Sequence, residues 1–330
     1  MDYKFLGQTG VKVSQLCFGT MSFGDEADEE MSGKLYNRCR EAGINFFDCA
    51  NMYSSGQAEE ILGRLITGHR NEIVLTSKAY FPMGQDVNAR GASRLHLFNS
   101  VEDSLRRLNT DRIDIFFIHR FDDFTSLEET LRALDDLVSM GKILYPAASN
   151  FAAWQVMKAL GLSDLHHWAR FAVIQPMYNL VKRMAEVELF PLAESENLGV
   201  ISYSPLGGGL LSGKYAGGAQ PEHGRLQRSV RYKTRYGEEW MHSAAAELKV
   251  LADQLGVHPA SLAIAWTAAH PALTAPIIGA RNLEHLETAL KSVEIDMTDK
   301  LYEQISALSP TPPPATDRNE ERIVDTYGKR

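Results

Sequence analysis

The sequence predicts an α/β protein, a (β/α)8 TIM barrel with an N-terminal β-hairpin and extra helices and loops. Three observations predict it. Strand-like and helix-like segments alternate along the chain, which favours a parallel sheet with right-handed crossovers. Eight strand-like segments follow the hairpin, and eight suit a closed barrel better than an open sheet. Three of those strands stop on an ionisable residue: Phe46-Phe47-Asp48, Ile73-Val74-Leu75-Thr76-Ser77-Lys78 and Ile115-Phe116-Phe117-Ile118-His119. A buried charge is costly unless it is paired or used. In parallel strands all three side chains emerge at the C-terminal end of the barrel, where the active sites of such barrels sit.

The elements follow in order. Residues 2–14 alternate and turn at Gln8-Thr9-Gly10, giving a hairpin expected to plug the N-terminal end of the barrel. Leu16-Cys17-Phe18-Gly19 is the first barrel strand, and a helix over about 27–43 stops at Gly43. Strand 45–47 precedes a helix near 57–67, and strand 73–77 precedes one near 91–108. Strand 113–118 leads to a helix near 126–140, with Ser126 as N-cap and Glu129 completing a capping box. Gly141 closes that helix, strand 143–145 follows, and another helix begins near 151. Strand 172–174, a helix near 187–197 and strand 199–203 continue the alternation. Two helices near 238–255 and 259–270 come next, the second opened by Pro259. Strand 276–278 and a helix near 282–292 finish the repeat. Segments 205–237 and 309–330 read as loops, rich in Pro, Gly and charge and placed to reach the C-terminal face. No composition break marks a second domain, so residues 1–330 form one domain with a core of about 3–307.

Composition narrows the function. Of 330 residues, 44% are hydrophobic and 23% charged, ordinary for a globular protein. The formal charge of −8 argues against nucleic acid or an anionic membrane as the main partner. Cys17, Cys39 and Cys49 form no C-x-x-C pair, which disfavours disulfides and thiolate metal sites and fits a reducing compartment. The N-terminus has no apolar core of a signal peptide, and no run approaches the roughly 18 apolar residues of a membrane span. The expectation is a cytoplasmic protein with no membrane partner and an undetermined assembly state.

The ionisable residues suggest chemistry. A carboxylate and an ammonium on adjacent strand ends, Asp48 and Lys78, can pair. Near Tyr53, five residues beyond Asp48, the lysine would favour the phenolate and lower the tyrosine pKa. A phenol tuned in this way is a candidate general acid. His119 could donate a hydrogen bond to a carbonyl oxygen. Taken singly, each has a plainer reading: a snorkelling lysine, a packed aromatic, a structural histidine, a turn aspartate. Together, at three successive strand ends, they read as a catalytic group.

Around these residues the sequence resembles the aldo-keto reductases, closest to the bacterial and channel β-subunit-like branches. The match rests on Phe46-Phe47-Asp48-Cys49-Ala50-Asn51-Met52-Tyr53, then Gly56 and Ala58-Glu59-Glu60-Ile61-Leu62-Gly63. It continues through Gly19-Thr20-Met21-Ser22-Phe23-Gly24, Gly141-Lys142-Ile143, Ser149-Asn150, Gln175-Pro176-Met177-Tyr178-Asn179 and Tyr203-Ser204-Pro205-Leu206, in order over about 3–307. The resemblance implies a barrel binding NADP(H) and a tetrad of Asp48, Tyr53, Lys78 and His119, with Tyr53 as proton donor. Hydride would pass from the nicotinamide to an aldehyde or ketone. It implies that Ser149, Asn150 and Gln175 hold the carboxamide and that Tyr203 stacks on the ring. Gly19, Thr20, Met21, Asp48, Ser204 and Pro205 join the cofactor site, and Leu206, Gly208 and Lys214 wrap the pyrophosphate. At the adenosine end the site comprises Gly279, Arg281 and His285, with Arg281 on the 2′-phosphate. Related sequences carry Gln and Asn where this chain has His285 and Ala289, so NAD(H) is an alternative cofactor.

Other motifs fare less well. Gly208 to Tyr215 nearly spells a phosphate-binding G-x-x-x-x-G-K-[ST] loop but ends in Tyr215, without the hydroxyl expected on Mg²⁺. No G-x-G-x-x-G follows a strand, which disfavours a Rossmann domain. His166-His167 lacks metal-ligand spacing, so no metal is expected. A barrel lyase or glycosidase would need a Schiff-base lysine or paired carboxylates. The walls of the substrate pocket are expected from Met21, Phe23, Tyr80, Phe81 and Phe121, with Arg120, Asp122, Asp123, Arg231 and Arg235 supplying charge. Charge directly behind His119 suggests a polar carbonyl substrate, such as a sugar-derived aldehyde. A second reading is a slow-turnover, cofactor-binding regulatory module of the same fold.

Overall fold

The structure is a computed structural model that describes residues 1–215 and 224–322. Strands β1 (Tyr3–Phe5) and β2 (Lys12–Ser14) form the antiparallel hairpin. The barrel strands are β3 (Cys17–Gly19), β4 (Phe46–Asp48), β5 (Val74–Ala79), β6 (Ile113–Ile118), β7 (Ile143–Ser149), β8 (Val173–Gln175), β9 (Gly199–Ser202) and β10 (Ala275–Ile278). They close in chain order, with β10 beside β3 and every neighbouring pair parallel.

The barrel interior is filled by side chains. Phe46, Ile115, Phe117, Ala147, Val173 and Ile201 meet Leu6 and Val13 of the hairpin region in one buried cluster. The hairpin therefore seals the N-terminal end, as its position predicts. Gly7 makes this close approach possible: at φ +56°, a Cβ there would lie 2.4 Å from the Gly199 nitrogen.

Between and after the strands run α1 (Glu29–Glu41), α2 (Gln57–Leu65), α3 (Arg94–Leu108), α4 (Leu127–Ser139), α5 (Ala153–His166) and α6 (Leu189–Ser195). They continue with α7 (Arg225–Arg228), α8 (Val230–Arg235), α9 (Glu239–Leu255), α10 (Pro259–Ala268), α11 (Leu283–Leu290) and α12 (Asp299–Ser306). Ser126 caps α4, its hydroxyl accepting from the Glu129 N–H at 3.2 Å. The other half of the expected capping box is absent. The Glu129 carboxylate instead accepts the Arg94 N–H at 2.9 Å and so ties α4 to the start of α3.

Two regions depart from expectation. Segment 205–237 contains α7 and α8, and α12 is a helix that the periodicity did not single out. The sequence of α8, Val-Arg-Tyr-Lys-Thr-Arg, has no apolar stripe, so nothing local announces a helix. Helix α12 is held from outside. The Trp266 indole donates to the Ser306 hydroxyl at 2.9 Å, and Tyr302 stacks on Trp266 with centroids 5.6 Å apart. Arg183 also donates to the Ser306 carbonyl at 2.9 Å. Residues 216–223 and 323–330 of the two expected loops lie outside the described residues. Among the described residues, no helix is long and apolar enough to cross a membrane.

Candidate active site

The three strand-end residues converge as the alternation predicts. Asp48 ends β4, Lys78 lies one residue before the end of β5, and His119 follows β6. The Lys78 side chain is fully buried. Its ammonium donates to Asp48 Oδ1 at 2.6 Å, to Oδ2 at 2.7 Å and to the Cys49 carbonyl at 2.7 Å. Its three protons have three acceptors, so the buried cation is satisfied. Asp48 also accepts from Thr76 Oγ1 at 2.8 Å and from Gln175 Nε2 at 2.9 Å.

Gln175 begins a polar row along the barrel mouth. Ser149 donates to the Gln175 carbonyl at 3.1 Å, and Asn150 Nδ2 donates to Ser149 Oγ at 3.0 Å and to the His119 carbonyl at 2.9 Å. The Tyr203 hydroxyl closes the row on Asn150 Oδ1 at 2.7 Å. Asn150 and Ser204 both take left-handed backbone, at φ +57° and +60°, where non-glycine residues are uncommon. Such strain persists only where surrounding contacts over-determine it, and it gathers at functional sites.

Tyr53 stands above the ion pair. It opens a helical turn whose next two residues, Ser54 and Ser55, are also left-handed, and Ser54 Oγ anchors the turn on the Phe23 carbonyl at 2.7 Å. The Lys78 ammonium lies 5.2 Å from the Tyr53 ring centre, and His119 meets the ring edge-on at 6.2 Å. The expected direction of the tyrosine pKa is reversed. Burial, then the Asp48 charge, push the Tyr53 phenol well above its ordinary value. Lys78 spends its donors on Asp48 and Cys49, so its charge is largely matched before it reaches the phenol. Tyr53 accordingly stays protonated at neutral pH.

His119 is driven the other way. Burial first, and the Lys78 cation second, push its imidazole down to about 3. A neutral ring is thus expected throughout the physiological range. The folded pKa lies below the unfolded value of about 6.5. The stabilising contribution of the neutral ring is therefore full above pH ~6.5 and is lost as pH falls from there towards 3. Proton NMR of the imidazole should show no titration of His119 between about pH 5 and 8. An inflection near 6.5 would mean that the ring is solvated.

The residues expected at an adenosine end also come together. Arg281 lies 3.4 Å and Arg225 3.0 Å from the Glu26 carboxylate. Burial and then these two guanidiniums lower the Lys214 pKa. Burial, then Arg281 and Lys214, lower that of His285, which sits in the first turn of α11 just beyond Gly279. Gly208 and Gly209 are left-handed; a Cβ on Gly209 would lie 2.7 Å from Lys214 Nζ. Pro205 and Leu206 lead into that turn. Gly19 ends β3, and Thr20 next to it donates from its backbone and hydroxyl to the Asp48 carbonyl, at 2.9 and 3.1 Å. Met21 beside it is exposed.

Several expected pocket residues serve elsewhere. Asp122 is buried and accepts from the Ala92 and Phe124 N–H groups and from Thr125 Oγ1, at 2.8, 3.0 and 2.7 Å. It staples two loops together and does not line a pocket. Phe23 is wholly buried against Phe18, because its loop folds under Tyr53. Phe81 does reach the site, with its ring 5.0 Å from His119. Arg120 and Asp123 are exposed. Sequence reasoning missed Thr76, the Cys49 carbonyl, Glu26 and Arg225. Thr76 carried a usable signal, since it lies two residues before Lys78 and so faces the same side of β5.

The sequence profile of the aldo/keto reductase family matches residues 15–310. The chain is 35% identical to an uncharacterized oxidoreductase of Bacillus subtilis, across 94% of this chain and 97% of the relative. It is 36% identical to a probable voltage-gated potassium channel subunit beta of Arabidopsis thaliana, across 89% and 92%. To the versiconal hemiacetal acetate reductase of Aspergillus parasiticus it is 31% identical, across 90% and 94%. With the closed barrel and the converging strand-end residues, these likenesses agree on one conclusion: the chain belongs to the aldo/keto reductase family.

Proposed function

We propose that the protein is an NADPH-dependent carbonyl reductase in which Tyr53 protonates the oxygen of an aldehyde or ketone. The observation that carries this reading is the buried Lys78–Asp48 pair beneath a protonated phenol, joined by hydrogen bonds to the row Gln175, Ser149, Asn150 and Tyr203.

The residues present fit the cofactor. The missing side chain at left-handed Gly209 leaves room for the Lys214 ammonium, and Lys214, Arg225 and Arg281 gather three cations around one carboxylate, Glu26. A polyanion would find net positive charge there. When bound, NADPH supplies the hydride. Gln175, Ser149 and Asn150 would orient the nicotinamide amide, and Tyr203 would pack against its ring. His119, neutral, donates a hydrogen bond to the substrate oxygen, and Tyr53 delivers the proton to it. Lys78 and Asp48 hold the floor of the site rigid.

Purified protein should oxidise NADPH when an aldehyde is added, and absence of turnover across a broad aldehyde panel would overturn the reading. Turnover too slow for an enzyme, with NADPH held tightly, would favour the second reading, a regulatory cofactor-binding module. Relatives named as channel beta subunits keep that reading in view. Arg281→Ala should weaken NADPH by about tenfold, the scale of one charge-assisted contact, and NADH far less. Equal weakening of both in fluorescence titrations would remove Arg281 from the 2′-phosphate.

A further inference from the structure

The barrel mouth holds cations that the cofactor cluster does not use. Residues 225–235 contain five, Arg225, Arg228, Arg231, Lys233 and Arg235, and no carboxylate, in a chain of formal charge −8. Arg225 is engaged with Glu26. Among the described residues, Arg231, Lys233 and Arg235 make no ion pair, and Arg235 is the half-buried one of the three.

Packing fixes where Arg235 lies. Tyr236 is buried, and its hydroxyl accepts from Asn179 Nδ2 at 3.3 Å; the same amide donates to the Ser204 carbonyl at 2.8 Å. Tyr232 covers Gly208 so closely that a Cβ there would lie 2.5 Å from its ring. Helix α8 is thereby bolted over the segment that follows β9, at the mouth. The Arg235 guanidinium sits 5.6 Å from the Tyr232 ring centre. Burial pushes the neighbouring Tyr203 phenol up to about 12, and the Arg235 charge opposes that shift. Tyr203 and Tyr232 in turn are close enough to Tyr53 to raise its pKa further, after burial and Asp48. Lys214, Arg225 and Arg281 act on Glu26, whereas Arg235 acts on Tyr203 and Tyr236. Arg235 directly precedes Tyr236, which Asn179 ties to Ser204 beside Tyr203 of the polar row, so its charge lies towards the carbonyl end of the site.

We propose that Arg235 recognises an anionic group on the substrate, so that the preferred substrates are aldehydes or ketones bearing a carboxylate or phosphate. The inference rests on the carbonyl-reductase reading above. Arg231 and Lys233, exposed on the same helix, steer such anions inward at low ionic strength. A guanidinium drawn to the face of an aromatic ring is restrained before substrate arrives, which reduces the ordering cost of a bidentate carboxylate contact.

The test compares 4-formylbenzoate with its neutral methyl ester, which share one aldehyde chemistry. For the NADPH-loaded protein, kcat/KM should favour the acid by about tenfold or more, the scale of one charge-assisted contact, mainly through KM. Arg235→Gln should collapse that ratio towards one, and Arg235→Lys should retain part of it. Lys233→Gln should change only its salt dependence. Calorimetric binding of 4-(hydroxymethyl)benzoate and its ester to the NADPH complex reads the same preference without turnover. Selective binding of the acid without reduction of either aldehyde supports the anion site and sinks the reductase reading. Equal reduction of acid and ester sinks the anion site and spares the reductase. Loss of NADPH affinity in Arg235→Gln, with the ratio intact, would assign Arg235 to the cofactor and overturn the proposal.

Discussion

Tyr53→Phe is expected to lower kcat/KM for aldehyde reduction by about 10²–10⁴-fold, the range of a lost general acid, with NADPH affinity nearly unchanged. The substitution is unusually clean. Among the described residues the Tyr53 hydroxyl makes no hydrogen bond, so its removal leaves no partner stranded. The ring keeps its contacts with the Lys78 ammonium at 5.2 Å and with His119 at 6.2 Å. The thermal midpoint should therefore hold while the rate falls. A loss in kcat and kcat/KM together, at constant cofactor affinity, would mark an interaction made in the transition state alone. A variant as active as the wild type would move the proton donor elsewhere.

The barrel was legible because its signals are local. Short β-rich runs separated by glycine-stopped helices report their own secondary structure, and the ionisable residues Asp48, Lys78 and His119 at strand ends report which side chains meet at one end of the barrel. The capping signal at Ser126 was half legible: its hydroxyl does cap, but Glu129 is drawn off by Arg94, 35 residues earlier in the chain and adjacent only in space. Helix α8 was illegible for the same reason, since Tyr232 on Gly208 and Tyr236 on Asn179 are long-range contacts. Asp122 misled because a carboxylate beside a strand end looks the same in sequence whether it meets substrate or backbone N–H groups. The sign of the Tyr53 shift misled for an energetic reason. Proximity of Lys78 to the phenol was inferred, but the competition for its protons by Asp48 and the Cys49 carbonyl was not.

That competition yields the largest expected effect on stability. Lys78→Met should destabilise the fold by about 3–5 kcal/mol, the cost of leaving one member of a buried ion pair alone. Methionine fills much of the lysine volume, so the loss is chiefly electrostatic and not a cavity. Asp48 would then keep only the donors Thr76 and Gln175, with its charge in a site that water does not reach. Adding Asp48→Asn removes that charge, so the double variant should be more stable than Lys78→Met alone. Thermal midpoints of the wild type, both single variants and the double variant measure the coupling directly. Recovery in the double variant would assign the loss to the orphaned carboxylate. Simple additivity would assign it to packing around the lysine stem. The distinction bears on function, because a pair retained for stability alone could be replaced by apolar residues. A pair retained to shape the floor beneath Tyr53 could not: a refolded, stable double variant should still reduce aldehydes poorly.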